Sequence, residues 1–182
     1  MFKFSVTLDD NDYFEYNKHV FFNGPAGRNT LLLYRLLVPM LGAFAIFMFW
    51  ITGADAILLI GEAVLFAILS VVFFLLAKPF AIKSIRSSIA NHKKAGKLPY
   101  SKESTLLFEE DTFTSTTPEA ITTLKYPIIE RIVETEKAVY VMVGVLQAVI
   151  IPLKAFSDDA EKTKFIEFIQ GKIAATSVGR SG

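Results

Sequence analysis

LLLYRLLVPMLGAFAIFMFWITGADAILLIGEAVLFAILSVVFFLLA, residues 31–77, decides how this chain is read. Between Arg35 and Asp55 there are 19 uncharged positions, Leu36 to Ala54. A second uncharged run, Ala63 to Ala77, lies between Glu62 and Lys78 and extends back through Ile57-Leu58-Leu59-Ile60. A membrane-spanning helix needs about 20 mainly apolar residues. The predicted spans are therefore 31–51 and 56–77. The second contains fifteen Leu, Ile, Phe and Val residues. At about −0.3 to −0.6 kcal/mol each, they favour insertion by about 5 to 9 kcal/mol. Glu62 opposes this by at most about 3 kcal/mol, and by less because it lies near one end of the span. Pro39 lies near the start of the first span, where a kink disturbs little of the helix.

The rest of the composition agrees. The 182 residues include 19 Lys+Arg and 18 Asp+Glu, a net charge of +1, which excludes the large basic excess of a general nucleic-acid binder. Hydrophobic residues make up 52% and charged residues 20%, with a mean hydropathy of +0.43, so the chain has ample apolar surface and is not disordered throughout. Cysteine is absent, which removes disulfides, thiolate metal sites and cysteine nucleophiles together. The opening Met1–Asp10 is polar and acidic after a short alternating run, a poor fit to a signal peptide.

Basic residues flank the spans on one side only. Arg28 and Arg35 precede the uncharged run of the first; Lys78, Lys83, Arg86, Lys93, Lys94 and Lys97 follow the second. The connection Thr52-Gly53-Ala54-Asp55 has none. Positive charge stays in the cytoplasm, so the expectation is a helical hairpin with both termini cytoplasmic and a tight external turn.

Phe2, Phe4, Val6 and Leu8 alternate with polar residues in the period of a half-buried strand. Asp9-Asp10-Asn11-Asp12 then opens a helix predicted through His19, and Asn23-Gly24-Pro25-Ala26-Gly27 is expected to break the chain. After the spans, Lys78-Pro79 marks an expected kink. Phe80, Ile82, Ile85 and Ile89 follow at roughly helical spacing. Short strands rich in Thr, Val, Ile and aromatics are predicted at 105–108, 112–116, 120–125, 128–135, 138–143 and 146–151. Ser157 reads as an N-cap to a C-terminal helix whose apolar stripe is Phe165, Ile166, Phe168, Ile169 and Ile173.

The fold class is thus α+β: a transmembrane hairpin inserted into a small antiparallel, pleckstrin-homology-like split β-barrel with a C-terminal amphipathic helix. The segments are 1–23 (N-terminal strand and helix), 28–78 (hairpin), 79–97 (basic amphipathic connecting helix), 98–173 (cytoplasmic β domain with its helix) and 174–182 (disordered tail).

Three pieces of sequence carry a family resemblance: Tyr126 with Ile129, Arg131-Ile132-Val133-Glu134-Thr135, and Ile150-Ile151-Pro152-Leu153-Lys154-Ala155-Phe156. With the order strand–helix, two spans, strands and helix, the chain resembles the YcxB-like family of bacterial membrane proteins over nearly its whole length. Members often read Ile-Ile-Pro-Lys in the last piece, so Leu153 before Lys154 is a small departure. The resemblance implies a two-span anchor in the bacterial cytoplasmic (inner) membrane with a cytoplasmic pleckstrin-homology-like domain. It implies no established activity.

The residues themselves point the same way. His19 and His92 lie in different segments, and no metal-ligand spacing, nucleophile elbow or phosphate loop is present. No enzyme activity, cofactor or metal is expected. Glu109-Glu110-Asp111 reads as a solvated hairpin turn, and Glu130, Arg131 and Glu134 as surface positions in cross-strand pairs.

Glu62, an ionisable group within a span, is an intramembrane contact candidate, against the simpler reading that it reaches the outer interface. Its antiparallel neighbour near Ala45 offers no partner. Ala63 and Ala67 have small-xxx-small spacing, which suits either a further helix or packing inside the hairpin. The basic group Lys78, Lys83, Arg86, Lys93, Lys94 and Lys97 orients the spans and is the candidate contact for anionic lipid.

The expected partners are the lipid bilayer and a protein bound by the cytoplasmic domain, with homo-oligomerisation compatible and no nucleic acid. The expected function is a non-enzymatic, membrane-anchored interaction or regulatory module. The alternative is an accessory subunit of a transporter or channel that packs through the hairpin.

Overall fold

The computed structural model describes residues 1–96 and 98–179, without the side chains of 26 and 177–179. The chain divides into two compact units. One is Met1–Asn17 with Asn91–Gly182; the other is Lys18–Ala90.

The first unit is a β domain. β1 (Phe2–Thr7), β2 (Glu103–Phe108), β3 (Thr112–Thr116) and β4 (Ile121–Lys125) form one antiparallel sheet in that order. β5 (Arg131–Glu134), β6 (Ala138–Met142) and β7 (Ala148–Pro152) form a second. Among the described residues no closed barrel forms. The first sheet ends where Tyr126–Ile128 turn into a short 3-10 helix, which also displaces the predicted start of the next strand. Pro127 in that turn has no N–H to give to a ladder, so β4 and β5 do not continue as one strand.

The N-terminal alternation does form a strand. β1 pairs along its whole length with β2, from Phe2 opposite Phe108 to Thr7 opposite Glu103. The sheet is therefore completed by residues from both sides of the hairpin. α1 (Asp10–Asn23) follows β1 and runs one turn past the predicted end at His19. Asp9 caps it: its carboxylate accepts the N–H groups of Asn11 and Asp12 at 2.8 Å, and Asp12 accepts the Asp9 N–H at 3.2 Å.

The core of this unit is Phe4, Val6, Leu106, Phe108, Phe113, Tyr126, Ile129, Val139, Val141, Ile151, Phe165 and Ile169. The last two belong to the C-terminal helix, which spans Asp159–Gly179. Helix continues through 174–179, part of the segment predicted disordered; 180–182 lie outside the described residues. Thr176 Oγ1 donates to the Lys172 carbonyl at 2.9 Å within that extension.

The second unit is built on α2 (Pro25–Ile51) and α3 (Ala56–Lys94), both long and apolar enough to cross a membrane. Pro25 starts α2 at a position where its missing N–H costs nothing, so only Gly24 of the predicted break interrupts the chain. Shielded positions recur every three or four residues on α2 (Leu31, Arg35, Val38, Gly42, Ala45) and every four or seven on α3 (Glu62, Phe66, Ser70, Ala77, Ala81). This is the repeat of two helices packed along one seam. Gly42 marks a close approach: a Cβ there would lie 2.6 Å from Phe66 Cγ.

α3 is one helix through Pro79, with no break into a separate connecting helix. Pro79 is exposed while Ala77 and Ala81 are buried, so the proline ring stands off the seam. The C-terminal helix of the β domain, Asp159–Gly179, is α4 below.

Candidate functional site

The predicted lipid-contact residues lie along α3 beyond its apolar run. Lys78, Lys83, Arg86, Lys93 and Lys94 are all exposed, and Lys97 lies outside the described residues. They do not act as one set. Lys93 is taken by Asp10 of α1 in an ion pair. The other Asp10 oxygen accepts the Tyr100 hydroxyl at 2.6 Å, and Tyr100 stacks on Tyr13 with ring centroids 4.9 Å apart. The hydrogen bonds from Lys93 and then Tyr100 hold the Asp10 carboxyl below its ordinary value, and burial and the Asp10 charge push the Tyr100 hydroxyl up.

This cluster sits where the chain leaves the β domain and returns to it. Two further acids of α1 are bound in the same way: Glu15 by Lys137 at 3.0 Å and Asp12 by Lys154 at 3.1 Å. Asp10 and Asp12, which the sequence assigned to the start of a helix, and Glu15 further along it thus tie α1 to three separate segments of its unit. Tyr16 adds a hydrogen bond of 2.9 Å from its hydroxyl to the Leu146 carbonyl, and burial pushes that hydroxyl up to about 12. No sequence signal marks these pairings, because each joins residues far apart in the chain.

Other candidates have structural surroundings. Glu109, Glu110 and Asp111 are exposed in the β2–β3 turn. The Glu109 carbonyl accepts the Tyr126 hydroxyl at 2.6 Å. Glu134 pairs with Lys162 of α4 at 2.9 Å, and Asp159 shares that lysine at 3.0 Å. His19 Nδ1 lies 3.2 Å from the Asn23 side-chain nitrogen, and His92 is exposed in the last turn of α3. Among the described residues no group of three or more His, Asp or Glu is placed to hold a metal ion.

Within the hairpin, Glu62 is half-buried and its Oε2 is buried with no hydrogen-bond partner. Ala63 and Ala67 are exposed, so they are not part of the seam, which runs through Glu62 and Phe66 instead. Arg35, read in the sequence only as a flanking charge, stands in the seam with its guanidinium 4.2 Å from the centre of the Phe74 ring. Its Nε is also buried without a hydrogen-bond partner.

The β domain carries the family relationship. Residues 108–169 match the YcxB-like protein family. The match runs from the last residue of β2 into α4, inside the first unit, and includes all three sequence pieces quoted above. β1 and the hairpin lie outside it. No curated protein and no solved structure matches the chain.

Proposed function

We propose that this protein is a non-enzymatic, membrane-anchored module of the bacterial cytoplasmic membrane. Its hairpin spans the bilayer, both termini are cytoplasmic, and its β domain, of pleckstrin-homology-like type, binds a protein partner. The pairing of β1 with β2 carries this reading. The ladder and the Asp10–Lys93–Tyr100 cluster hold together the two ends of the β domain between which the hairpin is inserted. A partner held by the domain is thereby held at the membrane, where its effective concentration rises. β4 lies at a sheet edge with Ile121, Thr122 and Thr123 exposed, which suits addition of a strand.

The lengths agree with the anchor. At ~1.5 Å per residue α3 is about 58 Å long, roughly twice the ~30 Å hydrocarbon thickness. Its basic half, from Lys78, would then emerge on the cytoplasmic side.

The absence of cysteine makes the topology directly testable. A cysteine at Ala54 in the turn should react with a membrane-impermeant maleimide on intact cells. One at Glu110 in the β2–β3 turn should react only after permeabilisation. Labelling of the Glu110 position from outside would overturn the proposal.

A second reading, an accessory subunit packed on other transmembrane helices, is favoured by the unpartnered Glu62 Oε2 and the exposed Ala63 and Ala67. Photocrosslinkers in the full chain separate the two. Protein adducts at Thr122 support the partner-binding domain, and adducts at Ala67 support the subunit.

A further inference from the structure

Lys18 of α1, Arg28 and Arg35 of α2 and Lys78 of α3 line one cleft of about 620 Å³, with Phe22 and Ile82 among its apolar walls. All belong to the hairpin unit. Arg28 and Arg35 are seven residues apart, two turns along one face of α2. The antiparallel seam brings Lys78 to the same level.

We infer that this cleft binds a phosphate group, supplied by an anionic phospholipid headgroup or by free phosphate. Three observations support it. First, no carboxylate lines the cleft, and residues 16–54 and 63–102 contain no Asp or Glu, so Arg28, Arg35 and Lys78 converge with no acid among the cleft residues to offset them. Second, Arg35 is half-buried, and its Nε is a buried donor without a hydrogen-bond partner. Arg35 lines the cleft and stands over the Phe74 ring, and a planar guanidinium matches the oxygens of a phosphate. Third, the walls are mixed. Cations suit a phosphodiester, and Phe22 and Ile82 suit the glycerol and upper acyl carbons of an amphiphile. Orientation of the spans requires basic residues on this side, but it does not require them to meet in one cleft around a half-buried arginine.

The inference rests on the proposed anchor only in setting the cleft at headgroup level. Its test is therefore made in detergent, where topology plays no part. Failure there leaves the anchor intact, whereas cysteine labelling from the wrong side removes the anchor and not the phosphate site.

The full chain in a neutral detergent is titrated by calorimetry with short-chain phosphatidylglycerol, short-chain phosphatidylcholine and inorganic phosphate. Phosphatidylglycerol should bind about tenfold or more tightly than phosphatidylcholine, as several charges worth ~1 kcal/mol each imply. Arg35→Gln and Lys78→Gln should each weaken it about fivefold or more, and Lys83→Gln/Lys94→Gln should leave it within about twofold. Arg28→Gln and Lys78→Gln alter exposed side chains, so they report on the site even if Arg35→Gln disturbs the hairpin. Competition by inorganic phosphate identifies free phosphate as a ligand of the cleft; binding of phosphatidylglycerol without such competition identifies the headgroup. Equal binding of the two lipids, or unchanged binding in Arg28→Gln/Lys78→Gln, overturns the inference.

Discussion

The ring of Phe4 meets the ring of Phe165 edge-on, with centroids 5.0 Å apart and planes at 82°. One comes from the strand before the hairpin and the other from the last helix of the chain, so the core closes only when both ends are present. Phe108 and Phe156 also contact Phe4, at 6.2 and 4.9 Å between centroids.

Phe4→Ala should therefore destabilise the β domain by about 3–5 kcal/mol, the usual cost of emptying a buried aromatic site. Limited proteolysis of the full chain in detergent should then cut within 98–160 at lower denaturant concentration. Deletion of residues 1–8 should have a larger effect, since it also removes the whole β1–β2 ladder. Unchanged protease resistance would count against β1 as a core strand.

Gly42→Val should loosen the hairpin. Its Cβ would lie 2.6–2.8 Å from Cγ, Cβ and Cδ1 of Phe66, atoms close to the backbone that cannot swing away. Overpacking of this kind costs about 1–3 kcal/mol. Gly61→Ala meets nothing within 4 Å and should be tolerated. Thermal aggregation of the two variants in detergent makes the comparison, and Phe66→Ala should restore Gly42→Val in part.

Two ionisations give opposite pH dependences. The Asp10 carboxyl is held below 3.8 by the hydrogen bonds from Lys93 and Tyr100. A depressed acid stabilises the fold above its unfolded value, and that contribution is lost as pH falls through the folded value. Tyr100→Phe should move the Asp10 titration, followed by carboxyl NMR, upward toward 3.8.

Tyr126 is the reverse case. Burial raises its hydroxyl from 10.0 to about 12. The folded chain keeps a proton that the unfolded chain releases, so stability should fall between pH 10 and about 12. Tyr126→Phe should flatten that decline while costing about 1 kcal/mol at neutral pH for the lost bond to the Glu109 carbonyl. Denaturant midpoints measured across this range provide the check.

The basic half of α3 should bind anionic membranes. A peptide of residues 79–96 should gain helicity on vesicles containing anionic lipid, bind neutral vesicles much more weakly, and be released by salt. Lys83→Glu/Lys94→Glu should remove most of that binding, worth about 1 kcal/mol per charge near the surface. Circular dichroism and vesicle sedimentation follow it.

The local features were legible in sequence. The apolar runs of α2 and α3 declare themselves because hydropathy and length are summed over neighbours along the chain. The Phe2-Phe4-Val6 alternation announced β1 for the same reason, and the start of α4 was misplaced by one residue: Asp158, not the predicted Ser157, caps it by accepting the Glu161 N–H at 2.7 Å. The local rules failed at Pro79 and at residue 174. Pro79 was read as a kink ahead of a separate connecting helix and residue 174 as the start of a disordered tail, yet α3 continues as one helix through the first and α4 through the second.

Tertiary structure decided what depends on distance in space. The sequence contained seven strands but not their division into sheets of four and three, since register and edges are set by packing between strands remote in the chain. It contained Asp10, Lys93 and Tyr100 but not their cluster, and Arg35 and Lys78 as two flanking charges but not as walls of one cleft. Charges report orientation through their number on each side of a span, which is a one-dimensional property. Whether they meet around a single ligand depends on the antiparallel seam of α2 and α3, where Gly42 allows Phe66 to approach and aligns the two helices.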